Sequence, residues 1–316
     1  MPITSHLSYL QKQRYAPRQI AAPPPSDLGL VVVIPVHDEP AVLPTLESLE
    51  ACPPPQAAVE VILVLNAPAD AGAEVHARQA ATCREIEGWR AVQPRRYGYH
   101  ILDFPTLPPK HAGVGLARKI GLDEGLDRLE QVEQADSGIL VCLDADATVA
   151  PSYLQALEAH FGQHPRCEAV SIYFEHPLSG TDYPASVYAG ILRYELYLRY
   201  YIEGLRYAGY PHAWHAVGSS IAVRADAYAR RGGMNRRKAG EDFYFLQKFW
   251  QEETVMTLTN TCVYPSPRPS HRVPFGTGKA IQGWLEREGA GFPAFDPQVF
   301  RDLQPLLAAL PEAYQQ

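Results

Sequence analysis

Leu30-Val31-Val32-Val33-Ile34 is an unbroken apolar run, almost wholly β-branched, with no polar residue at either phase of the pleat. A strand of that kind is covered on both faces, the pattern of a parallel sheet. Pro35 ends it. Between Pro40 and Glu50, Val42, Leu46 and Leu49 fall on helical spacing, with Leu43 beside that stripe. Val59-Glu60-Val61-Ile62-Leu63-Val64-Leu65 is a second buried strand, stopped at Asn66-Ala67-Pro68. After a more polar stretch, a helix is predicted near residues 112–130, carrying Val114, Ala117 and Ile120. Gly138-Ile139-Leu140-Val141-Cys142-Leu143 is the third clear strand. The order strand, helix, strand, helix, strand predicts an α/β protein with a Rossmann-like, mainly parallel central sheet flanked by helices. Ligands of such sheets bind beyond the carboxyl ends of the strands. Attention therefore falls on Pro35–Glu39, Asn66–Asp70 and Asp144–Asp146.

The second half is predicted to open with a helix over Ser152–Phe161 and a strand over Glu168–Phe174. Residues 184–207 form a long helical pattern, with Val187, Ile191, Tyr194, Leu198, Tyr201 and Leu205 recurring every three or four positions. The tyrosines of this helix (Tyr188, Tyr194, Tyr197, Tyr200, Tyr201, Tyr207) either pack a core or seat an acceptor. A helical tail is expected near 298–310. The division predicted from these patterns is a flexible arm over 1–27, a domain over 28–280 and a helical extension over 281–316. Within the domain the halves are 28–150 and 151–280, with a mobile loop at 265–279.

Composition narrows the class. The chain of 316 residues is 46% hydrophobic, enough for a sizeable core. Its 28 basic and 35 acidic residues leave a net charge of −7, which argues against a dedicated nucleic-acid binder. The five cysteines are scattered and form no CxxC pair, which suits a reducing compartment better than a disulfide framework. No apolar run approaches the roughly 20 residues needed to cross a bilayer. Gln11, Lys12, Arg14 and Arg18 leave no room for a signal-peptide core. The expectation is a cytoplasmic protein, compatible with peripheral membrane contact.

Four segments carry candidate chemistry. Asp144-Ala145-Asp146-Ala147-Thr148 sets two carboxylates at the mouth of a buried strand. Such charge calls for compensation, and a divalent cation bridging to a diphosphate supplies it; a solvated turn is the plainer alternative. Gly240-Glu241-Asp242 leads into the apolar Phe243, Phe245, Leu246, Phe249 and Trp250. These acids either complement a helix dipole or present a general base to a cleft. Gly113-Val114-Gly115-Leu116-Ala117-Arg118-Lys119 begins a helix and brings small residues and a guanidinium forward, toward phosphates or merely as a helix start. Ser266 through Lys279 is rich in Arg, Pro, Gly and His; it is a surface connector or a loop over an anionic ligand, with His271 able to complete a metal shell.

Taken in order, these segments resemble glycosyltransferase family 2, nucleotide-sugar transferases of the GT-A fold. Val33-Ile34-Pro35-Val36-His37-Asp38-Glu39 is similar to that family's opening strand and turn. Gly115 to Gly121 is similar to the stretch before its metal strand, and Asp144-Ala145-Asp146 to its Asp-x-Asp motif. Val217 to Arg224, with Gly232-Gly233-Met234, resembles its acceptor-side segment, and Glu241-Asp242 its Glu-Asp motif. The resemblance implies that Pro35, His37, Glu39 and Asn66 line the nucleotide pocket, with Arg118 and Asp144 close to the nucleotide. It implies Mg²⁺ or Mn²⁺ on Asp144 and Asp146, with His271 a further candidate ligand. Glu241 and Asp242 would be the catalytic acids, Asp242 as the base in an inverting transfer. The donor would be a nucleoside diphosphate sugar and the acceptor a glycan, a lipid-linked sugar or a small molecule. Asn66 stands where the family usually has an aspartate, and the Gln-x-x-Arg-Trp motif of its membrane-processive members is missing.

Two rivals use the same residues. Asp144-Ala145-Asp146-Ala147-Thr148 also fits the first motif of a haloacid-dehalogenase-type phosphatase, with Asp144 as nucleophile. A protein that binds sugar-nucleotides without catalysis is the other.

Overall fold

The structure is a computed structural model that describes residues 5–252, 254–270, 275–289 and 291–313. Its elements run α1 (Ser5–Gln13), β1 (Leu28–Val36), α2 (Leu43–Glu50), β2 (Ala58–Pro68), α3 (Ala73–Val92), β3 (Gly98–Leu107), α4 (Val114–Gln131), β4 (Ile139–Cys142) and β5 (Thr148–Val149). The chain continues through α5 (Tyr153–Gln163), β6 (Ala169–Phe174), α6 (Ala185–Tyr207), β7 (Ile221–Arg224), α7 (Ala225–Arg230) and α8 (Glu241–Leu246). A short 3-10 turn (Gln247–Glu252), β8 (Val255–Tyr264), α9 (Thr277–Glu286) and α10 (Pro297–Ala313) complete it.

The strands form one eight-stranded sheet in the order β3-β2-β1-β4-β7-β6-β8-β5. β3, β2, β1 and β4 are mutually parallel, Leu30 standing beside Ile139 and Val33 beside Cys142. β7 runs antiparallel between β4 and β6, β6 pairs in parallel with β8, and β5 closes the far edge antiparallel. The expected α/β architecture with a mainly parallel sheet is what forms. β1 and β2 are buried almost throughout, as their β-branched composition demands.

α4 lies directly on this parallel half. A Cβ on Gly121 would stand 2.3 Å from a Val33 methyl, and one on Gly125 2.9 Å from a Val31 methyl. Only bare backbone allows so close an approach. Farther along the same helix, Arg128 is wholly buried and ion-pairs with Glu60 of β2, with His100 on the other side of that carboxylate. Burial would push the Glu60 carboxyl up, but hydrogen bonds from Arg128 and His100 keep it below the usual carboxylate value.

The expected division of the chain needs correction. The structure separates into one unit of Met1–Phe174 with Ala216–Pro265 and another of Glu175–His215 with Ser266–Gln316. The two expected halves of the 28–280 domain share one sheet, because β5 to β8 complete what β1 to β4 begin. The arm over 1–27 is likewise no loose lead-in. Tyr9 of α1 is buried and donates to Asp123 at 2.7 Å, and Arg14 ion-pairs with Glu124. Arg18 joins Asp127 at 2.7 Å, and the backbone of Ile20 donates to Glu124 at 2.8 Å.

In the second unit α6 packs Val187, Tyr188 and Ile191 against Ile281 of α9, with Tyr194 and Phe292 on the flank. Tyr200 and Tyr201 turn their rings to Phe300 of α10; of the tyrosine stripe Tyr188 is buried, Tyr194, Tyr197, Tyr200 and Tyr201 are half-buried, and Tyr207 is exposed.

Replacing Arg128 with Met would leave the Glu60 carboxylate buried without its partner. A loss of about 3–5 kcal/mol is expected, measured as a lowered urea midpoint at neutral pH. The deficit should shrink as pH falls through the Glu60 pKa, where the paired native state loses its own advantage. An unchanged midpoint would show that the pair contributes nothing.

Candidate functional site

Three strand ends meet at the carboxyl edge of the parallel half. Pro35 is the penultimate residue of β1, followed by His37, whose Nδ1 lies 2.8 Å from the Asn66 carbonyl oxygen of β2. Asp38 takes a left-handed φ of 51° and ion-pairs with Arg78 of α3. Glu39 is buried; its Oε1 accepts from Ala41 N at 3.3 Å. Asn66 is 2% exposed, and its side-chain Oδ1 has no hydrogen-bond partner among the described residues. A buried acceptor left open in this way is costly unless a ligand or water serves it.

β4 delivers the Asp-x-Asp turn. Leu143 N still donates to Val33 O at 3.1 Å, so the pairing with β1 runs one residue past the strand. The chain then bends: Ala147 N donates to Asp144 O at 3.2 Å, and the buried Thr45 of α2 donates its hydroxyl to Ala145 O at 2.8 Å. Ala145 and Ala147 face inward while Asp144 and Asp146 remain half-buried. Both carboxylates thus lie on the more open side of a pinned turn.

Arg118 ties this turn to a distant motif. It leaves the first turns of α4, is 2% exposed, and ion-pairs with Asp144 through Nη2 and with Glu241 through Nη1. Its Nε has no partner among the described residues. Burial alone would lower the guanidinium pKa; Asp144 and Glu241 together raise it instead. Two close approaches admit the arrangement. A Cβ on Gly218 would stand 2.4 Å from the guanidinium, and one on Gly115 2.3 Å from the Arg237 carbonyl oxygen. The glycine pair at the start of α4 therefore admits the 235–241 segment.

Glu241 and Asp242 open α8 after Gly240, which turns left-handed at φ 68°. Burial pushes the Glu241 carboxyl up to about 7 against the pull of Arg118, with Asp242 and Asp144 adding to the rise. Asp242 is also raised by burial, again opposed by Arg118 and assisted by Asp144. Its Oδ1 accepts from Phe243 N at 2.7 Å, so it has a role within the helix turn as well as a place beside the cluster. Phe245, Leu246 and Phe249 are buried beneath it, whereas Phe243 is exposed.

The structure thus joins Arg118, Asp144 and Glu241 directly, with Asp242 beside them, and joins His37 to Asn66. His271 lies outside the described residues. Sequence reasoning missed Thr45, which pins the turn, and the buried hydroxyls of Ser219 and Ser220, which have no hydrogen-bond partner among the described residues. Both serines precede β7, whose Ile221 pairs with Cys142. The quoted Gly218-Ser219-Ser220 was the available signal; its contact with Arg118 is invisible in one dimension.

With this geometry in place, comparison with solved structures is informative. No protein-family profile and no curated protein sequence matches the chain. A crystal structure of residues 1–349 of TarS from S. aureus matches at a TM-score of 0.50 and 16% identity, covering 76% of this chain and 60% of that one. The same fragment in complex with UDP-GlcNAc matches at 0.51 and 14% identity, covering 88% of this chain and 70% of that one. The fold is GT-A. This chain accordingly spans only part of the length of the structures it is similar to, and at such identities the likeness speaks for architecture alone. No helix among the described residues is long and apolar enough to cross a membrane.

The elevated Glu241 gives a pH test. A carboxyl at about 7 in the folded chain and near 4.5 when unfolded is protonated more readily in the native state. Its contribution to stability is fully present below about 4.5 and is lost as pH rises through about 7. Glu241→Gln should therefore show a shallower decline of unfolding free energy over that window, measured by urea denaturation at several pH values. Parallel curves for the two proteins would refute the elevated value.

Proposed function

We propose that the chain is a metal-assisted glycosyltransferase of family 2. It transfers a sugar from a nucleoside diphosphate donor to a hydroxyl acceptor with inversion, using Asp242 as base. The observation that carries this reading is the Arg118 bridge, which brings the Asp-x-Asp turn and the Glu-Asp helix start together at the carboxyl edge of a GT-A sheet.

The residues fit the roles. Pro35, His37, Glu39 and Asn66 stand at the ends of β1 and β2, where a doubly wound sheet takes its nucleotide. The unpartnered Asn66 Oδ1 is an acceptor suited to a base N–H. Since the TarS fragment is solved with UDP-GlcNAc, a uridine diphosphate sugar is the donor to test first.

Asp144 and Asp146 offer hard oxygen donors of the kind Mg²⁺ and Mn²⁺ prefer. No group of three His, Cys, Asp or Glu among the described residues forms a ready-made metal cage. Asp144 and Asp146 would hold such a cation, with His271 a further candidate. When bound, that cation offsets the charge growing on the leaving diphosphate.

The protein's own residues do the rest. Arg118 fixes Asp144 and Glu241 relative to each other. Asp242 accepts the acceptor hydroxyl's proton as the new bond to the sugar's anomeric carbon forms and the bond to the diphosphate oxygen breaks. Its raised pKa moves this base toward the neutral range in which proton transfer is most effective. The phosphatase alternative is less well supported, because Arg118 engages the very carboxylate that would be its nucleophile.

Asp242→Asn should lower sugar transfer by about 10²–10⁴-fold while leaving the thermal shift produced by UDP-GlcNAc with Mn²⁺ intact. Asp146→Ala should abolish the Mn²⁺-dependent part of that shift. If no nucleoside diphosphate or its sugar raises the melting temperature with or without Mn²⁺, the reading fails.

A further inference from the structure

The N-terminal arm lines a cavity. Residues 12–15, the Lys119 side of α4 and the turn around Gly232 to Arg236 border an open cavity of about 520 Å³, a volume typical of small-molecule sites. Lys12, Arg14, Lys119 and Arg236 line it, and no Asp or Glu does. Glu124, Asp127 and Asp123, outside the lining, offset the charge of Arg14 and Lys119 and leave that of Lys12 and Arg236.

Its cations fall into two pairs. Arg14 and Lys119 are fixed from outside the lining, Arg14 by Glu124 and Asp127, Lys119 by Asp123 and by the Tyr9 hydroxyl at 2.6 Å. Lys12 and Arg236 are exposed and form no ion pair among the described residues. Nearby, Lys248 donates to the Gly233 carbonyl oxygen at 2.6 Å, and its pKa is lowered by burial and then by the charge of Lys119.

The wall is built for the arm. Gly233 has a left-handed φ of 64°, and a Cβ there would lie 1.8 Å from the Tyr9 hydroxyl. Asn235, which also lines the cavity, donates from Nδ2 to the Glu241 carbonyl oxygen at 2.8 Å, yet none of Asp144, Asp146, Glu241 and Asp242 borders it. The cavity is therefore separate from the carboxylate cluster.

We propose that this cavity binds a small phosphorylated anion, gripped by Lys12 and Arg236 against the preset Arg14 and Lys119. Several guanidinium and ammonium groups lining one cavity match a multi-oxygen dianion better than a single carboxylate. The volume accommodates more than one bare phosphate. This inference goes beyond the proposed transfer reaction and does not depend on it.

The test uses the full chain in EDTA, so that metal-assisted binding at Asp144 and Asp146 is silent. Pyrophosphate and glucose 6-phosphate are titrated by calorimetry, and phosphatidic acid vesicles by cosedimentation. At least one probe should bind, more weakly as salt is raised. The double variant Lys12→Ala, Arg236→Ala should weaken that binding about tenfold or more, while Asp146→Ala binds as the unaltered chain does. Binding of a soluble probe identifies a free metabolite as the ligand source, and binding of vesicles a lipid headgroup. Both substituted side chains are exposed, and an unchanged melting temperature confirms that the double variant is folded. Should it instead melt early, the charge-retaining Lys12→Arg, Arg236→Lys pair must restore binding for the proposal to stand. Binding by none of the three probes, or binding that survives in the double variant, overturns it.

Discussion

A single buried guanidinium organises the carboxyl edge of this sheet. Removing Arg118 from water carries a desolvation penalty of several kcal/mol, recovered only if its carboxylate partners stay in place. Asp144 and Glu241 are those partners, so the strand-end turn and the start of α8 cannot drift apart without exposing an uncompensated charge. The guanidinium is itself placed by α4, and α4 by its close seat on Val31 and Val33. The geometry of the carboxylates thus descends, contact by contact, from the packing of a helix on two parallel strands.

Around that clamp the polar groups are unusually open. Asn66 Oδ1, Arg118 Nε and the hydroxyls of Ser219 and Ser220 are all buried without a hydrogen-bond partner among the described residues. A buried polar atom left unmatched costs about 1–3 kcal/mol, and most proteins tolerate few of them. Other such atoms lie elsewhere, Tyr153 Oη among them, but these four stand around one strand-end cluster, where a polar ligand could meet them. A sugar-nucleotide has the donors and acceptors to meet them.

Much of the sheet was legible in one dimension because its chemistry is local. β1, β2 and β4 announce themselves as apolar runs rich in Val, Ile and Leu, with Glu60 the one charge in β2, and α6 as a regular apolar repeat. β3 escaped notice because an edge strand can carry Asp103 and Pro105, which a central strand would reject. α3 was hidden because its buried face includes Gln79 and Thr82. The two acidic motifs were readable as short strings, but their union was not. Arg118 stands 26 residues from Asp144 and 123 from Glu241, and no local periodicity encodes a meeting over such separations. The same holds for the arm, whose prolines suggested a tether while its partners lay on α4.

The arm's anchorage also bears on the order of assembly. Tyr9 and Arg14 are synthesised before their partners on α4, which are more than a hundred residues downstream, and Tyr228 follows later still. Closing so large a loop carries an entropic penalty before any contact rewards it. The arm therefore waits until most of the sheet-bearing unit exists and becomes its latch. A fusion that burdens the amino terminus would act on this final step, leaving early sheet formation intact while slowing the closure that completes the fold.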